Sequence, residues 1–181
     1  MQHLFWGILV AVLTAATTGI AASPDEESAP AAMASLNAAM GDRTAVHLYF
    51  GGEKPPHLRA EQRVLDNVGD PTLFGKQILD ELAKGSSEKF SPVVPAETRI
   101  RAFFLDNNGT GYADLSIEAR KNHPGGTDAE IQTLYAIVNS LVLNVPGVQR
   151  VKILIEGKAV ETLAGQVRLD RPYTPNMLLI R

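Results

Sequence analysis

Residues 148–165 read VQRVKILIEGKAVETLAG. Val151, Ile153 and Ile155 alternate with Lys152, Leu154 and Glu156, which is the period of a strand with one face to bury. Glu156-Gly157 reverses the chain, and a second short strand is expected to end at Leu163-Ala164-Gly165. A long apolar-periodic segment precedes this hairpin and stops at Val145-Pro146-Gly147. It therefore closes a helix-then-hairpin unit, and the question is what lies before it.

Working backwards, Ile131, Leu134, Tyr135, Val138, Leu141, Val142 and Val145 follow three-and-four spacing, predicting an amphipathic helix. Thr127 and Glu130 have the spacing of a capping box at its start. RIRAFFLD and TGYADLS predict two strands, joined at Asn107-Asn108-Gly109, a sequence suited to a tight hairpin turn. Asp70-Pro71 predicts an N-cap with proline at the first helical position. Phe74, Ile78 and Leu82, with Leu79 alongside, give that helix, from about Pro71 to Lys84, its buried stripe. Upstream, TAVHLYFG places Val46, Leu48 and Phe50 on one face of a strand, with His47 and Tyr49 on the other, and AEQRVLDN predicts a weaker strand. The order from Ala60 is strand, helix, strand, strand, helix, strand, with one extra strand at each end. This predicts an α+β, two-layer fold: a mixed β-sheet with two main helices on one face.

The 181 residues, 45% hydrophobic and 20% charged, fit one globular domain with flanking sequence. A net charge of −3 supplies no broad basic field, so nucleic acid is not an expected partner. The absence of cysteine excludes disulfides, thiolate metal sites, cysteine nucleophiles and a lipobox cysteine. Residues 4–22 carry no charge and are long enough for a membrane span, and they end in small residues. We expect residues 1–22 to be a signal peptide or N-terminal membrane anchor. Residues 23–43, rich in Ala, Ser, Pro and acidic residues, are expected to be a disordered linker, residues 44–165 the folded domain and residues 166–181 a C-terminal extension. Asp25, Glu26 and Glu27 follow the span at once, with no basic residue to retain that side in the cytoplasm. The expected location is extracytoplasmic, in the periplasm or cell envelope. The apolar run Met177–Ile180 is expected to close over the core, with a docking peptide as the alternative.

No constellation carries evident chemistry. Asp106-Asn107-Asn108-Gly109-Thr110-Gly111-Tyr112 overlaps the start of a calcium loop, but its twelfth position is Ile117 instead of a bidentate glutamate. His3, His47, His57 and His123 lie on different elements, without metal-ligand spacing. Ser116 lacks a nucleophile elbow. Asp114 and Glu118 are read as a strand end and a helix-start residue before they are read as a catalytic pair. Arg99, Arg101, Lys121, Arg150 and Lys152 are read as solvated surface. No catalytic, cofactor-binding or metal residue is expected, nor a cofactor.

Taken in order, LYFGGE, ILDELAKG, VVPAETRIRAFFLDNNGTGYADLS and EIQTLYAIVNSLVLNVPGVQRVKILIEGK resemble the GerMN domain, first named from spore germination and sporulation proteins. Gln166 stands where that family's pattern has histidine after ETLAG, so a role resting on that histidine does not carry over. The resemblance implies an exported or anchored envelope protein similar in architecture to ring-building modules of secretion-type complexes. It also implies a non-enzymatic domain that binds other envelope proteins or itself through a sheet edge or helix face. The alternative is a peptidoglycan- or envelope-glycan-binding module, with Tyr49 and Tyr112 as an aromatic platform.

Overall fold

The computed structural model describes residues 42–67 and 69–181. The apolar run of residues 4–22 and the expected linker up to residue 41 lie outside the described residues. Among the described residues, no helix is long and apolar enough to cross a membrane. The elements are β1 (Asp42–Gly51), β2 (Leu58–Asn67), α1 (Pro71–Lys84), β3 (Ile100–Leu105), β4 (Thr110–Leu115), the short α2 (Glu118–Lys121), α3 (Thr127–Val142), β5 (Arg150–Ile155) and β6 (Lys158–Ala159), followed by a 3₁₀ turn, Met177–Leu179.

The fold is α+β, as the patterning predicts, with its strands divided between two sheets. β1 and β2 form a ten-residue antiparallel hairpin of their own, and the larger sheet has the order β3-β4-β5-β6. β3–β4 and β5–β6 pair antiparallel, whereas β4–β5 is parallel and needs the crossover that α2 and α3 supply. The reason for the division lies at the outer edge of β1. Ser140 Oγ on α3 accepts the Tyr49 amide at 3.1 Å. Beyond the end of α3, Asn144 accepts the His47 amide at 2.9 Å and donates to the His47 carbonyl at 2.8 Å. These side chains occupy the place a neighbouring strand would take.

α1 begins as expected, with Asp70 accepting the amides of Thr72 and Leu73, and buries Phe74, Ile78, Leu79 and Leu82. The start of α3 differs from the capping box. Gly126 is its N-cap and no side chain caps it. The fully buried Glu130 instead turns to the chain after β6, accepting the amides of Ala164, Gln166 and Val167 at 3.0–3.1 Å. Further along β5, Val151 is paired with Tyr173 and not with an extension of β6, which is only two residues long. Leu163 is nevertheless buried, as a hairpin closing on the core requires.

The C-terminal segment packs on the domain. Tyr173 pairs with Val151 at the β5 edge, and Ile180 pairs with Leu58 at the start of β2. Between them, Asn139 clasps the backbone of Asn176 through both its amide and its carbonyl. Met177 and Leu178 remain exposed, while Leu179 and Ile180 lie against the core.

The helix-to-sheet contact is set by Phe103, 2% exposed, between two glycines. A Cβ on Gly75 of α1 would sit 2.3 Å from its ring, and one on Gly111 of β4 would sit 2.8 Å away. Gly75 has no need of special backbone angles, so close approach is its reason. Gly75→Ala adds about 1 kcal/mol of helix propensity but forces repacking worth about 1–3 kcal/mol. We expect it to lower unfolding stability in urea, and to become neutral or stabilising when Phe103 is also shortened to Leu.

Candidate functional site

The side chains that suggested chemistry in the sequence hold the backbone together. Asp106 Oδ1 accepts the amides of Asn108 at 2.9 Å and Thr110 at 2.8 Å, and Tyr112 leans its hydroxyl toward Oδ2. The Thr110 amide is the leading reason that the Asp106 carboxyl titrates below its usual range. This is an Asx-type turn that closes the β3–β4 hairpin, with its carboxylate directed at the loop's own amides. Among the described residues, no group of three or more His, Asp or Glu side chains is placed to hold a metal ion.

Ser116 is buried, and its Oγ accepts the Arg99 amide at 3.0 Å. Asp114, also buried, accepts the Gly157 amide at 2.7 Å and faces Arg101 Nε at 3.2 Å. Glu156 reaches the same Arg101 and accepts the Ile117 amide. Asp114 thus ties the β5–β6 turn to β4, and Glu118 stands 3.8 Å from Arg99. The expected solvated surface fails for Lys152, which is 8% exposed and donates to the Leu169 carbonyl at 2.6 Å. Burial lowers the pKa of that ammonium, opposed by Asp170.

The histidines stay apart. His47 is exposed on β1 and His57 lies in the β1–β2 connection, where its carbonyl accepts from Gln132 at 2.7 Å. His3 is outside the described residues. His123 accepts the Gly125 amide at Nδ1, which leaves the proton on Nε2 to donate to Thr133 Oγ1, each at 3.0 Å. Thr133 Oγ1 in turn donates a hydrogen bond to the Val93 carbonyl at 2.6 Å. Tyr49 is 6% exposed and burial raises its pKa. A ring so buried offers no exposed face for a platform shared with Tyr112.

Glu61 is the important polar residue that patterning missed, and Glu130, expected in a capping box, has another role. Glu61 shares the inward face of β2 with Leu65, but its same-face neighbours Arg59 and Arg63 are charged, so no local pattern flags it. Its carboxylate accepts from Ser86 Oγ, Ser87 Oγ and N, the Glu88 amide and Arg63. Arg63 also binds Glu81, so the end of α1 is fixed to β2.

What remains free is surface. β3 is the outer strand of the larger sheet, and no backbone bond beyond those of its own hairpin reaches residues 100–105 among the described residues. Phe104 is 55% exposed, on the face opposite Phe103. An open cleft lies elsewhere, between α2 and residues 162–165.

The described residues form an α+β domain with two main helices and a parallel β4–β5 pair. The Germane family, described as "Sporulation and spore germination", matches residues 47–161, and the chain belongs to it. The first GerMN domain of the sporulation protein GerM from Bacillus subtilis shares the fold, with a TM-score of 0.58 and 18% identity, over 75% of this chain and 98% of that one. The tandem GerMN domains of the same protein give a TM-score of 0.56 at 18% identity, over 75% of this chain. This chain spans 46% of the tandem structure. A Clostridium perfringens protein classed provisionally as a lipoprotein gives 0.51 at 23% identity, over 76% of this chain and 91% of that one. No curated protein matches the chain significantly.

Two acid-dependent losses of stability are expected. Burial lowers the His123 pKa below 6.5, against attraction from Glu130, so folding favours the neutral ring. Its contribution is present above pH 6.5 and is lost as pH falls toward the folded value. Burial raises the Glu61 pKa, but Ser86, Arg63, Ser87 and the Glu88 amide outweigh it and hold the carboxyl at about 2, below its reference of 4.5. That contribution, about 3 kcal/mol, is complete above pH 4.5 and disappears as pH falls through 2. Urea midpoints measured against pH should show both losses. His123→Asn, whose Oδ1 can still accept from Gly125, should remove the upper one, and Glu61→Gln the lower.

Proposed function

We propose that this chain is a non-enzymatic, extracytoplasmic binding and assembly domain of the cell envelope that recruits protein partners by strand addition at β3. The observation that carries the reading is an unguarded sheet edge. Edge strands commonly discourage pairing with lysine, proline, bulges or a covering element. β3, reading IRAFFL, has no lysine or proline, and its one charge, Arg101, is committed to Asp114 and Glu156. Its register shift near Ile100 leaves Ala102–Leu105 regular, with Phe104 beside the open edge. An added strand gains main-chain hydrogen bonds there, and Phe104 gives it an apolar side chain to cover.

A second copy of the chain meets these requirements by two-fold pairing of β3 with β3, a self-complementary arrangement. The uncharged run of residues 4–22 and the similarity to GerM and to the Clostridium protein support an envelope setting. Of the polar groups that might have supported an enzyme, Asp106, Asp114 and Ser116 each accept a backbone amide.

Light scattering on residues 37–181, together with cross-linking to envelope extract, tests this. We expect concentration-dependent association or a discrete cross-linked partner, either of which Phe104→Lys should reduce without lowering the melting temperature. A strict monomer that cross-links to nothing, or an association indifferent to Phe104→Lys, would contradict the proposal.

A further inference from the structure

The cleft beside α2 has a volume of about 570 Å³, within the usual span of ligand pockets. Arg120 and Lys121 line it, with Ile117, Pro124 and Leu163 as its apolar wall and His123 beside them. No carboxylate lines it. Arg120 Nε donates to the Leu163 carbonyl at 3.0 Å, which orients the guanidinium. Its two terminal nitrogens have no hydrogen-bond acceptor among the described residues. The Lys121 ammonium has neither a hydrogen bond nor an ion pair among them, and only a through-space attraction to Glu118. The nearby acids are already committed: Glu118 faces Arg99, and Glu130 is closed behind the three amides of residues 164–167. Glu130 thereby fixes the wall that carries Leu163.

We propose that this cleft binds an acidic peptide segment of a partner protein. The Arg120 fork takes the carboxylate of an Asp or Glu side chain, a geometry in which guanidinium bonds are paired and charge-assisted. Lys121 adds a second, mobile charge, and a neighbouring apolar side chain of the peptide lies against Ile117, Pro124 and Leu163. A sugar fits poorly, because the lining has no Asp, Glu, Asn or Gln to receive hydroxyl groups and no Trp, Tyr or Phe for a ring to stack on. A bare phosphate would leave the apolar wall uncovered. This site is distinct from the β3 edge and is argued from different residues.

The test is a titration of the ¹⁵N-labelled full chain, in mild detergent, with acetyl-Leu-Asp-Glu-Leu-amide, its Asn-Gln counterpart, and inorganic phosphate. We expect the acidic peptide to shift amides in residues 117–125 and 162–165, and the neutral peptide to leave them in place. Arg120→Gln should weaken binding about tenfold and Lys121→Gln about threefold. Lys121→Gln changes an exposed side chain without a bond to lose, so it tests the site without disturbing the fold. Equal binding of both peptides, shifts with phosphate but not with acidic peptide, or affinity unchanged in both variants would each overturn the proposal. Because Phe104→Lys does not touch this cleft, it should leave the peptide shifts intact.

Discussion

The structure depends on the polar side chains of α3. This helix is buried on almost every side, including Glu130, Gln132, Thr133, Asn139 and Ser140, so a polar group on it without a partner would be costly. Each of these five, together with Asn144 just past its end, finds a backbone group in a segment that lacks a regular strand neighbour there. Ser140 and Asn144 close the edge of β1, Gln132 holds the β1–β2 connection, and Thr133 holds the Val93 carbonyl. Glu130 holds the chain after β6, and Asn139 holds the C-terminal segment. The helix therefore supplies apolar packing on one set of positions and substitutes for missing strands on another. The division into two sheets and the path of the C-terminus follow from it.

Much of the framework was legible in the sequence because local rules determine it. The Phe74, Ile78 and Leu82 stripe, the Asp70 cap, the Asn-Gly turn and the Val151, Ile153 and Ile155 alternation depend on residues close in sequence. The family resemblance lay in the order of those same elements. The roles of polar residues were less legible because their partners are distant. Thr127 and Glu130 have ideal capping-box spacing, yet Glu130 binds amides 34–37 residues away. Tyr49 alternates like a solvent-facing residue, but it is buried. Nothing local showed that Gly75 and Gly111 are needed to admit one ring, since that requires knowing what crosses them.

The same bonding bears on function. Asp106, Asp114, Ser116, Glu61 and His123 would be natural starting points for a catalytic or metal-binding reading, and each is engaged in fixing a turn, a loop or a helix end. A domain that uses its reactive groups in this way presents edges and clefts of fixed shape. Under the proposed function, the β3 edge would offer main-chain pairing and the Arg120–Lys121 cleft would offer charge. The contact of Glu130 with residues 164–167 links the internal scaffold to the wall of that cleft, so fold and surface share a support.

The central claim is that α3 side chains stand in for strands as full members of the cooperative core. Native-state hydrogen exchange on the amides of Tyr49, Gln166, Val167 and Asn176, each bonded to an α3 side chain, tests it most directly. These amides are expected to exchange only through the same global opening that exposes the amides of Ile137 and Leu141 within α3. Exchange of these four by local opening, at free energies well below those of the helix, would contradict it.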